Sequence, residues 1–161
     1  MIKSSAAGKE TIVRQSDLSV RVAVVIPCFN VEHSVKAVVS GVPAGVGPIY
    51  CVDDCSRDRS VTVLELLAAA DDRVRLVRRQ SNGGVGAAFL DGMTAAIADG
   101  AQIIVKLDGD GQMNGAFIPD FVDPILSGEA DFVKGNRFFD IERVLGMPFA
   151  RLAGNAGLSF T

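Results

Sequence analysis

The sequence predicts an α/β fold, a mostly parallel sheet with helices on both faces. Two observations carry this. Short β-branched runs alternate with longer helical stretches in the order β-α-β-α-β-α-β-α-β. Val20–Ile26 and Gln102–Leu107 are apolar at nearly every position rather than at every second one, as in strands covered on both faces. The chain has 161 residues, 48% hydrophobic and 22% charged. That is long enough for one domain with a real core, and too apolar for disorder.

Residues 1–19 scatter Lys3, Lys9, Glu10, Arg14 and Asp17 among small residues and read as a flexible leader, with one domain over 20–161. No apolar h-region marks a secretory signal, and no window approaches the roughly 18 apolar residues of a membrane span. Both readings place the chain in the cytoplasm.

Val20–Ile26 is the first strand, which Pro27 is expected to stop. Glu32–Ser40 is a helix with Asn30 available as its cap and Gly41 and Pro43 closing it. Pro48–Val52 is a second strand, ending in Asp53-Asp54, and Ser60–Ala70 a second helix. Arg73–Arg78 alternates Arg outward with Val or Leu inward as a third strand. Asn82 is expected to cap a helix over Val85–Asp99, which Gly100 ends; Gly86 and Gly92 inside it suggest close approach to the sheet or to a ligand. Gln102–Leu107 is a fourth strand, Phe117–Ser127 a helix interrupted by Pro119 and Pro124, and Asp131–Lys134 a short fifth strand. The crossovers should be right-handed.

The net charge of −3 and a pI of about 5.1 offer no basic footprint for nucleic acid and no polybasic membrane patch. Cys28, Cys51 and Cys55 are an odd set without the spacing of a redox pair, and read as reduced thiols, buried or on loops. A zinc site would need further ligands, and His33, the sole histidine, reads as an ordinary residue at a helix start.

In open α/β sheets ligands bind outside the carboxyl ends of the strands. The unusual residues of this chain gather there: Pro27-Cys28-Phe29-Asn30-Val31-Glu32, Asp53-Asp54-Cys55-Ser56, Asn82-Gly83-Gly84 and Asp108-Gly109-Asp110-Gly111-Gln112. So much unpaired negative charge on one rim suits a metal or a hydrogen-bonding ligand. In an extended segment Asp108 and Asp110 would point the same way and share one hard cation, Mg²⁺ or Mn²⁺, with Gln112 adding a neutral oxygen. A calcium loop of the EF-hand type fails, since its sixth position would be Met113 and its twelfth Pro119. The plain alternative is a surface turn with capping acids. At Asp53-Asp54 one acid would accept the ring N–H of a nucleobase, while Ser56 or Asp58 would cap the following helix. The glycines from Gly83 on do not complete a dinucleotide fingerprint, because Phe89 or Val85 falls where a small residue is required. A helix N-terminus beside a nucleotide remains open.

Five motifs in order, VVIPCFN, VDDCSRD, NGGVGAA, KLDGDGQ and KGNRF, resemble the family 2 glycosyltransferases of the GT-A fold. They are most similar to the branch containing dolichyl-phosphate mannosyltransferases and bacterial polyprenyl-phosphate sugar transferases. The resemblance runs from about Val22 to Asn155. It implies that Pro27, Phe29, Asn30 and Glu32 form the first nucleotide-contacting loop, with Gly83 and Asp108 also at the nucleotide. It makes Asp53 and Asp54 the base-binding acids and Asp108, Asp110 and Gln112 the metal-binding Asp-x-Asp-x-Gln. Asp110 and Arg137 would act in catalysis, Arg137 beside the phosphates, with Arg151 either a second such arginine or a surface residue. Cys55 stands where Gly is usual, which would strain the turn, and Asn114-Gly115 replaces the more common acid and Pro.

The implied reaction is inverting, metal-dependent transfer of a sugar from a nucleoside diphosphate sugar, serving cell-envelope glycan or glycolipid synthesis. A lipid-phosphate acceptor at the inner membrane surface would arrive ionised and need no strong base, whereas a hydroxyl acceptor would need one. Relatives continue past the position of Thr161, and Leu152–Thr161 reads as the start of an apolar helix without a stop signal. The expectation is a fold incomplete at its C-terminus and prone to self-association. The alternative function is a nucleotide-sugar-binding fragment without turnover. A nucleotidyltransferase is disfavoured, because Pro27–Glu32 lacks the Gly, Lys and Arg of a triphosphate loop.

Overall fold

A computed structural model describes residues 20–135. The elements run β1 Val22–Cys28, α1 Val35–Ser40, β2 Ile49–Asp53, α2 Ser60–Ala70, β3 Val74–Arg78, α3 Gly84–Ala98, β4 Ile103–Lys106, a 3-10 turn Gly115–Phe117 and α4 Ile118–Leu126. The four strands form one parallel sheet in the order β3-β2-β1-β4.

The core has two sides because alternate strand residues face opposite ways. Ala23 and Val25 of β1 and Tyr50 and Val52 of β2 meet Ala88 and Ala96 of α3. Val24, Ile26, Ile49 and Cys51, which point to the other face, are equally buried. There α1 packs on α2, and α2 packs on β2 and β3. Gly92 lets α3 lie close on the sheet, since a Cβ at that position would stand 2.5 Å from Val25 Cγ1 and 2.8 Å from Val52 Cγ2. Gly86, by contrast, faces open space, so only one of the two helix glycines has a packing reason.

Pro27 does not stop β1; pairing with β2 continues to Cys28↔Asp53. Strand parity explains this. Val25 offers its carbonyl to Leu107 N–H on the β4 side at 3.0 Å, while the Val24 N–H donates to Pro48 on the β2 side at 2.9 Å. Pro27 shares the parity of Val25, so its missing N–H faces the β4 side, where pairing has already ended at Val25↔Lys106.

Three further expectations are corrected. The helix expected from Glu32 begins at Val35, after a turn over residues 32–34, with Ser34 at its N-cap. Asp131–Lys134 is irregular rather than a fifth strand; Phe132 is 79% exposed and no ladder forms there among the described residues. Pro119 and Pro124, expected to interrupt the helix, both lie within a continuous α4. A second compact unit begins at Asp123. Its described part holds the end of α4 and a turn in which Glu129 and Ala130 N–H donate to the Pro124 carbonyl at 2.9 and 3.0 Å. Among the described residues no helix is long and apolar enough to cross a membrane.

Candidate functional site

Strand order decides where a crevice opens. From β1 the chain steps to β2 and β3 on one side, then crosses back to β4 on the other. The loops after β1 and β4 therefore leave a reversal point at the carboxyl edge, where open α/β sheets bind ligands. These two loops are joined: Ser34 Oγ donates to the Gly109 carbonyl at 2.7 Å. Gly109 lies so close that a Cβ there would stand 3.0 Å from the Pro27 carbonyl oxygen and 3.4 Å from Val31 Cγ1.

The β1 and β2 loops are laced together. Asn30 N–H donates to Ser56 Oγ at 3.0 Å, and Asn30 Oδ1 accepts from Arg57 N–H at 2.8 Å. Val31 N–H donates to Ser60 Oγ at 2.7 Å. Glu32 Oε2 accepts from Arg59 N–H at 2.8 Å, while Glu32 N–H donates to Asp58 Oδ2 at 3.2 Å. Asn30 is thus no helix cap; it holds the neighbouring loop, in a left-handed conformation with φ 55°. Asp58 does cap locally, accepting from Ser60 N–H at 2.9 Å. Phe29 projects from this assembly with 46% exposure.

Asp54 is committed inward. It is 2% exposed, and its carboxylate accepts from the N–H groups of Gly83 and Gly84 at 2.9 and 2.7 Å. Arg79 donates to it as well. Burial alone would push the Asp54 carboxyl up; the Gly83 N–H, the Arg79 guanidinium and the Gly84 N–H more than offset this and hold it below the usual carboxylate range. Asp54, not Asn82, therefore caps α3; the Asn82 side chain donates to the Asp54 carbonyl at 2.9 Å. The Gly83 and Gly84 N–H groups expected beside a nucleotide are thus engaged by Asp54, and the Asp54 carboxylate expected at the base is engaged by them and by Arg79. Gly84, with φ +81°, adopts a conformation that L side chains rarely take. Asp53 differs: it is buried, yet among the described residues its side-chain oxygens accept only the Ser56 N–H, at 3.3 and 3.4 Å.

The Asp108 loop is a turn, not the extended segment expected, with Gly109 and Asp110 at its centre. The Asp108 carboxylate pairs with Lys106. Asp110 is exposed, and its Oδ1 accepts the Gln112 N–H at 3.0 Å. Two carboxylates and an amide oxygen on a glycine-bearing turn are hard donors that fit Mg²⁺ or Mn²⁺ and leave positions for phosphate oxygens and water. Among the described residues no three His, Cys, Asp or Glu side chains could hold a metal ion by themselves. The protein's share of such a coordination sphere would be partial.

Most of the acids on this rim are partnered, against the expectation of unpaired charge. Asp54 takes Arg79, Glu32 takes Arg59 and Asp108 takes Lys106. Sequence reasoning missed Arg79, Lys106 and Ser34, and gave Ser56 a capping role where its hydroxyl instead holds Asn30 N–H. A usable signal existed only for Lys106, two residues before Asp108 at the end of an extended run and so on the same side. Arg137 and Arg151 lie outside the described residues. Cys28 and Cys51 are buried and Cys55 is half-buried, all as free thiols. The Cys51 thiol and burial raise the Cys28 pKa, so that thiol stays neutral. Cys55 has φ 61°, a left-handed strain at the position where Gly was expected.

Comparison with known proteins bears on what this rim does. The sequence pattern of the family described as "Glycosyl transferase family 2" matches residues 23–156. A dolichyl-phosphate N-acetylglucosaminyltransferase of Methanococcus voltae, named for UDP-N-acetylglucosamine, is 30% identical over 149 residues, covering 84% of this chain and 59% of that protein. Polyprenol monophosphomannose synthase of Mycolicibacterium smegmatis is 31% identical over 135 residues, covering 82% of this chain and 51% of the relative. This chain thus spans little more than half the length of either relative. Among solved structures, glucosyl-3-phosphoglycerate synthase from Mycobacterium tuberculosis, in complex with Mn²⁺, UDP and phosphoglyceric acid, superposes with a TM-score of 0.56. It is 26% identical, and the match covers 71% of this chain and 42% of that one.

Proposed function

The chain belongs to glycosyl transferase family 2, with a GT-A type sheet, and from that premise we propose that its rim binds a nucleoside diphosphate sugar for transfer of the sugar. The observation that carries the reading is the joined pair of loops at the reversal point, where Ser34 ties the Pro27–Glu32 loop to Asp108-Gly109-Asp110. UDP in the M. tuberculosis structure and the UDP-sugar in the M. voltae name favour a uridine donor.

In this reading Phe29 and the Pro27–Glu32 loop flank the base. Asp53, whose oxygens are the more loosely held of the two adjacent acids, accepts its ring N–H. Asp108, Asp110 and Gln112 hold Mg²⁺ or Mn²⁺ against the diphosphate, and the ion neutralises charge on the departing group. The neighbouring structure with Mn²⁺ and UDP supports a divalent ion of this kind. Asp110 is the most exposed of the ligand acids and faces the reacting end. Arg137 is proposed beside the phosphates on the strength of the KGNRF resemblance.

Two relatives named for dolichyl phosphate and polyprenol support a polyprenyl phosphate acceptor, and with it work at a membrane surface. Such an acceptor is already ionised, so the site needs positioning more than a strong general base. The relatives' transferase names favour turnover over a binding role alone. A thermal-shift panel of UDP-, GDP- and CDP-sugars, with and without Mn²⁺, tests the reading. A metal-dependent rise for one base class is expected; no shift with any nucleotide would overturn it.

A further inference from the structure

Lys106 is the last residue of β4 and stands opposite Val25 in the sheet. Its side chain is 39% exposed, and that of Asp108 is 29% exposed. Among the described residues, Lys106 is the donor that meets the Asp108 carboxylate, and Asp108 is the acceptor that Lys106 meets. Every other acid on the rim is held by backbone N–H groups, by an arginine, or by both. Asp108 alone is held by a single flexible ammonium. An ammonium is a compact point charge on a long stem and, unlike a guanidinium fork, can leave a carboxylate without breaking a two-point contact. A half-exposed pair of this kind is also weak enough to exchange.

We infer that Lys106 is a positioning residue that occupies Asp108 before the metal does. It then gives up the carboxylate when the ion arrives and turns its ammonium to the donor diphosphate. This rests on the reading of Asp108 as a metal ligand. A divalent ion and an ammonium on one carboxylate oxygen repel each other, so an ion that takes Asp108 Oδ1, the oxygen Lys106 holds, displaces Lys106. The diphosphate fills the coordination positions that the protein leaves open, so its anionic oxygens come within reach of the displaced ammonium. Lys106 would thus oppose metal binding in the empty site and favour nucleotide once metal is present. It couples the two so that neither binds tightly alone.

The test is a titration of Mn²⁺, followed by the electron paramagnetic resonance signal of the free ion, on the full chain without nucleotide. Lys106→Met should bind Mn²⁺ about three- to tenfold more tightly than wild type. Its affinity for UDP at saturating Mn²⁺ should fall by about fivefold or more. Lys106→Arg, whose guanidinium fork keeps a positive partner on Asp108 and leaves it less readily, should bind Mn²⁺ no more tightly than wild type. Lys106→Gln replaces the Met variant if that one folds poorly. Unchanged Mn²⁺ affinity in Lys106→Met and Lys106→Gln, with Mn²⁺ binding still abolished by Asp108→Ala, would overturn the inference alone. Wild-type Mn²⁺ binding that survives loss of both Asp108 and Asp110 would overturn the metal site and the inference together.

Discussion

The guanidinium of Arg79 closes on the carboxylate of Asp54 at the first turn of α3 and reaches Asp91 on the same helix, with Nε 2.6 Å from Asp91 Oδ2. One buried acid thereby ties the end of β2 to the start of α3. A Cβ at Gly83 would stand 2.5 Å from the Arg79 guanidinium.

Asp54→Asn is expected to act on stability. It removes one of the two anions that hold the Arg79 guanidinium, Asp91 being the other, and puts an amide where the Gly83 and Gly84 N–H groups need an acceptor, so the variant should unfold at lower urea than wild type. UDP affinity, measured where the variant is still folded, should change little. Because the Asp54 pKa is depressed in the folded state, its contribution is complete above the unfolded value near about 3.9 and is lost as pH falls through the lower folded value. Urea unfolding below about pH 4 should therefore show wild type losing an increment that Asp54→Asn never had. A variant as stable as wild type that binds UDP poorly would return Asp54 to the base.

Asp53→Asn should show the opposite pattern. Among the described residues its side-chain oxygens make only long contacts with Ser56 N–H, so the fold should lose no more than about 1 kcal/mol. Replacing an acceptor carboxylate by an amide against a ring N–H should weaken UDP binding by about tenfold or more, with or without metal. Calorimetry on the variant checks this.

The two glycines inside α3 should separate cleanly. Gly92→Ala drives a methyl into Val25 and Val52 and should destabilise by about 1–3 kcal/mol. Gly86→Ala meets nothing within 4 Å and should stabilise by about 0.5–1 kcal/mol through helix propensity. Thermal unfolding of the pair distinguishes a packing glycine from a tolerated one.

Cys55→Gly relieves a left-handed φ of 61°. The relief of about 1 kcal/mol or more is partly offset by the added freedom of the unfolded chain. The expected outcome is unchanged or slightly raised stability, whereas Cys55→Val should fall by more than about 1 kcal/mol.

What could be read in advance follows the range of the interactions involved. Ser60–Ala70 was legible to the residue, because helix propensity and flanking polar residues are local signals. The parallel sheet was legible because Val22–Ile26 and Ile103–Val105 carry no polar face. Pro27 was misread because its tolerance depends on where β4 stops pairing, a fact about a strand far along the chain. Asn30, Glu32 and Asp54 were legible as important rim residues. Their partners Ser56, Arg59 and Arg79 were not, since each bond spans more than 20 residues of sequence. The Asp131–Lys134 run has strand composition, but a strand also needs a backbone partner, and composition does not supply one.

The central claim is that Asp108 and Asp110 bind nucleotide through a shared divalent ion. Calorimetric titration of UDP into the chain, once in Mn²⁺ and once in chelator, tests it directly, with Asp110→Ala run beside wild type. Wild type should bind UDP at least about tenfold more tightly in Mn²⁺, equivalent to about 1.4 kcal/mol, and Asp110→Ala should remove that difference. Equal affinity of wild type in Mn²⁺ and in chelator would contradict the account.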